Sequence, residues 1–243
     1  MKKILSIIIL SATIIFNAYA VDTFENGRYD TSIFQNILKQ LNISEDECET
    51  DLAVQKQLPY MQGYSAFVIP KIVEQGEGYK IFDVYILIVE NETGKITHKF
   101  YQEEGWISDA ISLENIKIDT ARYRLNNDTR AFGVRCFYTG NSRPNPYSSE
   151  EISLFILREN TLVQVLNNYR VNEYRGDWNM DCDGEFIETK SVLAMSNEQT
   201  NGFYNIEIKS TITETIRDEC VDEVKVRQET KTLRYINGEY RMD

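Results

Sequence analysis

From Tyr60 onward the chain is dominated by short runs in which apolar and polar residues alternate with a period of two. That rhythm restricts the chain to sheets, because successive side chains of a strand point to opposite faces. Phe203 to Ile212 is the clearest run, with Tyr204, Ile206, Ile208 and Ile212 on one face and Asn205, Glu207, Lys209 and Thr211 on the other. Arg130 to Tyr138 puts Phe132, Val134, Cys136 and Tyr138 together in the same way. Ile81 to Val89 is nearly unbroken in its apolar character, as expected of a central strand covered on both faces.

The remaining β signals are hairpins. Asn91 to Gly94 turns the chain into Ile96 to Tyr101. Arg158 to Thr161 joins Ile152–Leu157 to Leu162–Leu166, and Asn237-Gly238 joins Val224–Tyr235 to Glu239–Met242. Val224 and Val226 share one face of their strand, whereas Leu233 and Tyr235 share the other, so a bulge or a bend is expected near Glu229.

One helix precedes the strands. Asp30 is a capping residue, and Ile33, Phe34, Ile37, Leu38 and Leu41 follow at helical spacing, which predicts an amphipathic helix over Thr31 to Leu41. Ser44 to Asp51 is either a second short helix or a solvated acidic loop.

The expected class is therefore mainly β, an antiparallel meander with an N-terminal helix, built as a sandwich, an open barrel or a short propeller. The propeller alternative comes from a faint repeat. Three aromatic-bearing strands each lead to a hairpin, and Trp106 and Trp178 follow two of those hairpins at similar distances.

Residues 1–20 read as an export signal: Lys2 and Lys3 open it, an apolar stretch runs from Ile4 to Phe16, and Ala18-Tyr19-Ala20 supplies the cleavage site. The apolar core is shorter than the ~20 residues of a bilayer span. Residues 21–243 are then a single β-rich domain without a membrane span, expected in a bacterial periplasm or secreted. Of 26 Lys and Arg, loss of Lys2 and Lys3 leaves 24 against 38 Asp and Glu, a formal charge of −14. That sign repels phosphates and excludes nucleic acid as a partner class.

Four cysteines in an oxidising compartment favour two disulfides. Cys182 and Cys220 flank a predicted hairpin at comparable distances from its turn and are expected to pair, leaving Cys48 with Cys136.

Arg130-Ala-Phe-Gly-Val-Arg135 and the ending Leu233-Arg-Tyr-Ile-Asn-Gly-Glu-Tyr-Arg241 resemble strings in exported bacterial β-rich proteins without an assigned activity. The resemblance covers about the last half of the chain and implies location and fold, with no functional residues.

Candidate chemistry is sparse. Asp177, Asn179, Asp181 and Asp183 alternate ahead of Gly184, as in the first half of a calcium loop, with Glu188 a candidate to complete the shell. The twelfth position is Lys190 where an EF-hand has glutamate, so calcium competes here with a plain acidic turn; no other cofactor is expected. His98 has no neighbours that suggest a triad, and no serine-hydrolase or zinc-protease string occurs. Trp106 and Trp178 are placed in loops, where an indole stacks on a sugar, anchors a protein, or folds back over the core.

The leading expectation is a non-catalytic binding protein with a protein or glycan partner in the cell envelope, such as an inhibitor or immunity-type protein for a basic enzyme. A carboxylate-dependent glycan hydrolase is the rival, and a calcium-stabilised structural protein the third reading.

Overall fold

The computed structural model describes residues 28–242. The expected export signal lies outside them. No described helix is long and apolar enough to cross a membrane.

Helix α1 (Thr31–Leu41) starts where the Asp30 carboxylate accepts hydrogen bonds from the Ser32 and Ile33 amides at 2.8 and 3.1 Å. It ends at Asn42 in the left-handed conformation. Ile33, Phe34, Ile37 and Leu38 are buried on it, each fully buried side chain of this kind contributing roughly 1.5–3 kcal/mol. A three-residue 3-10 helix at Glu45–Glu47 follows, so the acidic stretch holds a second short helix.

Twelve strands complete the chain: β1 (Val54–Gln57), β2 (Tyr64–Gly76), β3 (Tyr79–Glu90), β4 (Ile96–Ser108), β5 (Ile111–Arg124), β6 (Arg130–Gly140), β7 (Tyr147–Arg158), β8 (Thr161–Trp178), β9 (Gly184–Thr200), β10 (Phe203–Asp218), β11 (Val221–Ile236) and β12 (Glu239–Met242). Consecutive strands pair antiparallel throughout, except that β4 does not pair with β5. There the chain turns into a second layer, and a single parallel contact, Lys99 with Thr161, joins β4 to β8. The sheet is open and folded over itself, neither closed into a barrel nor divided into propeller blades.

Three apolar clusters hold the layers together. Phe67, Ile69, Leu87 and Val89 face α1. The alternate residues Val84, Ile86 and Ile88 of β3 turn the other way, onto Ile116, Phe132 and Val134 of the second layer. This explains the unbroken apolar run of β3: a strand between two layers has no solvent face. The second layer's opposite side, with Ala131, Ile152 and Leu154, packs on Ile206 and Ile208 of β10, Leu233 of β11 and Tyr240 of β12.

Several expectations need correction. The β10–β11 ladder runs without a register shift from Ile206–Leu233 to Asp218–Val221, so there is no bulge at Glu229. The inward phase changes because Leu233 and Tyr235 meet a core, whereas Val224 and Val226 meet water on a part of the sheet with no second layer. Trp106 is not in a loop. It pairs with Phe82 inside β4 and is buried in the core, which removes it as a binding residue and breaks its equivalence with Trp178.

Cys182 and Cys220 are disulfide-bonded, but Cys48 and Cys136 are free and buried. Cys48 packs in the cluster beneath α1, whereas Cys136 on β6 packs between the two layers, so they serve separate cores. Burial, reinforced by Glu47 and Glu45, pushes the Cys48 thiol up to about 12, and burial also pushes Cys136 upward, so both remain protonated and unreactive.

Candidate functional site: an aromatic cleft on a disulfide-tied blade

The second half of β8 and the distal halves of β9, β10 and β11 extend beyond the packed layers as a blade. Every residue from Val221 to Gln228 is exposed. What keeps this part extended is local: threonines with high strand propensity at 211, 213 and 215, cross-strand ion pairs, and covalent closure at the tip.

At the tip, Glu219 and Cys220 both adopt left-handed backbone in the turn from β10 to β11, at φ values of 47° and 65°. Neither is a residue that tolerates this freely. The turn is held by the Cys182–Cys220 disulfide, by the Cys220 amide donating to the Cys182 carbonyl at 3.1 Å, and by the Glu219 amide donating to Asp183 Oδ1 at 3.0 Å.

The loop read as a half calcium site thus has a structural role. Asn179 Oδ1 accepts from the Asp181 and Asp183 amides, and Asn179 Nδ2 donates to Asp183 Oδ2 at 3.0 Å. Asp177 receives a long contact from Asn145, and Glu188 lies on β9, ion-paired with Lys190 at 2.6 Å. Among the described residues no group of three or more His, Cys, Asp or Glu side chains comes together as a metal site.

One face of the blade carries a groove of about 460 Å³ lined by Arg143, Pro146, Tyr174, Trp178, Phe186, Thr215, Arg217 and Asp222. Its construction starts with two glycines. Gly176 on β8 pairs with Phe186 on β9, and Gly184 lies two residues before it. A Cβ at Gly176 would lie 2.5 Å from the Phe186 ring, and one at Gly184 would lie 3.1 Å from it. The missing side chains let that ring lie flat on the sheet. Tyr174 stacks beside it with centroids 6.3 Å apart and planes 6° from parallel.

Trp178 is half-buried at the end of β8, its indole donating to the Asp181 carbonyl at 3.1 Å. The loop between β6 and β7 forms one wall, since the Trp178 and Gly176 amides donate to the Pro144 and Pro146 carbonyls at 2.8 and 3.0 Å. Arg217 lies over Phe186 at 5.7 Å and is clamped by both carboxylate oxygens of Asp222, at 2.7 and 3.0 Å. That hydrogen bonding holds Asp222 below, and Arg217 above, its ordinary range. Arg143 is exposed in the wall and has no acidic partner among the described residues. Of the exposed acids nearby, Asp181, Asp183 and Glu219 lie at the tip, whereas Asp177, Glu185 and Asp218 alternate with cleft residues and point to the opposite face of the sheet.

Of the two tryptophans expected to bind, the structure brings only Trp178 to a surface cleft. Sequence reasoning missed Tyr174, Gly176, Phe186 and Arg217. A signal was present: Tyr174-Arg-Gly-Asp-Trp178 and Gly184-Glu-Phe186 alternate aromatic with glycine on one face, the pattern of a ring seated over a bare backbone. His98 sits in β4, with Nδ1 3.0 Å from its neighbour Thr97 Oγ1.

No protein-family model, curated protein or solved structure matches this chain.

Proposed function

We propose that this chain is a non-catalytic, extracytoplasmic binding protein that docks a basic protein of the cell envelope on the aromatic cleft of its blade, in the manner of an inhibitor or immunity-type protein. The observation that carries this reading is the cleft itself: Trp178, Tyr174 and Phe186 on a covalently closed blade whose tip carries the exposed acids Asp181, Asp183 and Glu219. Aromatic anchors supply contact area at low entropic cost, and acids at the tip steer a cationic partner. The disulfide and the leader-like first twenty residues support a location outside the cytoplasm.

The rival glycan-hydrolase reading needs a carboxylic acid of raised pKa. Among the described residues, this cleft is lined by a single carboxylate, Asp222, clamped by Arg217. The acidic tip loop needs no ion in this reading, and the melting temperature is expected to be indifferent to calcium or chelator.

The test is capture from envelope extract. A basic partner is expected to be retained at low salt, released at high salt, and lost with Trp178→Ala. Retention that ignores both salt and Trp178 would refute the proposal, as would new reducing ends released from peptidoglycan by the purified protein.

A further inference from the structure

The blade's outer border is a second feature, independent of the cleft. Strand β11 pairs with β10 along its inner side, but on its outer side β12 covers only Leu233 to Ile236. Among the described residues, the outward backbone groups from Val221 to Thr232 therefore have no strand beside them. Such an edge is a template for another strand. It also carries apolar residues out of keeping with a bare edge: Val221, Val224 and Val226 are 70%, 55% and 63% exposed.

We infer that this edge pairs with the same edge of a second copy, antiparallel about a two-fold axis through Lys225 and perpendicular to the sheet. An axis of that kind keeps each side chain on its own face and sets residues opposite one another in a mirrored register. Centred on Lys225, the register sets Val224 against the other copy's Val226, and Glu223 against its Arg227. Both happen twice by symmetry. The two Lys225 residues meet at the centre, each already paired with its own Glu223 at 3.0 Å.

Neighbouring registers fail for specific reasons. Centring on Val226 opposes Glu223 to Glu229 and Lys225 to Arg227. Centring on Val224 also opposes Glu223 to Lys225, but it sets Val226 against Asp222 and leaves a single valine pair at the centre. Centring on Arg227 drives the second copy's Val221 into the place that Met242 of β12 occupies opposite Leu233. The Lys225 register stops short of that, leaving Thr230 to Thr232 to receive the second copy's turn, with Glu219 near Lys231. The Lys225 register is therefore the one that joins two valine pairs to two opposite-charge pairs. Because the axis is perpendicular to the sheet, the two aromatic clefts face the same way, and the dimer presents them as a pair.

Molar mass by sedimentation equilibrium over a concentration series tests this, with circular dichroism confirming that each variant keeps its strands. The wild-type chain is expected to dimerise. Arg227→Glu and Glu223→Arg each turn two attractive cross-strand pairs into repulsive ones and should weaken the dimer about tenfold. The double variant, Glu223→Arg with Arg227→Glu, re-creates both pairs across the axis and should recover most of that loss. A single-chain mass at every concentration would overturn the inference. So would a dimer indifferent to Arg227→Glu, or a double variant no better than the singles.

Discussion

Strand β10 belongs to two different environments, and the contrast between its halves is the most instructive feature of the molecule. Ile206 and Ile208 are fully buried between layers, whereas from Thr213 to Asp218 every residue is half-buried or exposed. The ladder joining β10 to β11 is continuous through both. Hydrogen-bond geometry therefore does not distinguish body from blade; burial does. In the body, apolar area removed from water opposes chain entropy. In the blade, propensity, cross-strand ion pairs and a covalent tie take over, and single surface ion pairs are weak. A region held this way is stiff enough to present a cleft, and its stability rests mainly on the covalent tie.

This contrast predicts how each region breaks. The largest effect belongs to the body: Phe132→Ala empties a fully buried site stacked on Phe155 and should lower unfolding free energy by about 3–5 kcal/mol, read from urea denaturation of the whole chain. Next is the tie. Cys182→Ser with Cys220→Ser should cost about 2–4 kcal/mol, with faster amide exchange confined to the distal parts of β9, β10 and β11. Exchange that rises equally in β2 and β3 would mean that blade and body unfold as one unit.

A smaller effect is expected at Gly176. Gly176→Ala forces the Phe186 ring off the sheet, which should cost about 1–3 kcal/mol as overpacking does. Partner capture through Trp178 should fall by more than that stability change explains.

Acid provides the mildest probe, because it acts on both regions through different carboxylates. In the body, burial works against the Asp119 carboxylate, but hydrogen bonds from Tyr123, the Ala121 amide and Arg135 outweigh it and hold its pKa below the ordinary 3.8. In the blade, Asp222 is held down by Arg217. A depressed carboxylate contributes stability that is complete above its unfolded value and lost as pH falls through its folded one. Stability should therefore be flat above about pH 4 and decline below it. Asp119→Asn should flatten that decline in thermal melts of the body, and Asp222→Asn should leave the melts nearly unchanged while altering exchange at the tip.

Much of this arrangement was written locally. The helix over Thr31 to Leu41 coincides with its predicted limits, because Asp30 and the apolar spacing act within a few residues. The Cys182–Cys220 pairing followed from their comparable distances to the turn of a predicted hairpin, since a hairpin converts sequence symmetry into proximity. The second pairing failed because nothing local says that Cys48 and Cys136 belong to different clusters. Trp106 illustrates the same limit: Glu103-Glu-Gly105 reads as a loop, yet β4 runs through it with a register shift opposite β3.

The sequence alone determined most of the strands, several of their turns, the helix, the strong negative charge and the covalent closure of one long hairpin, because each depends on spacing along the chain. Only the tertiary structure decided where the second layer stops. That boundary turned identical alternation into core for Ile208 and into exposed blade for Val224, buried one tryptophan and left the other at a cleft. The physical reason is that burial belongs to pairs of layers: a strand's pattern says which face can be covered, and its neighbours in space decide whether anything covers it.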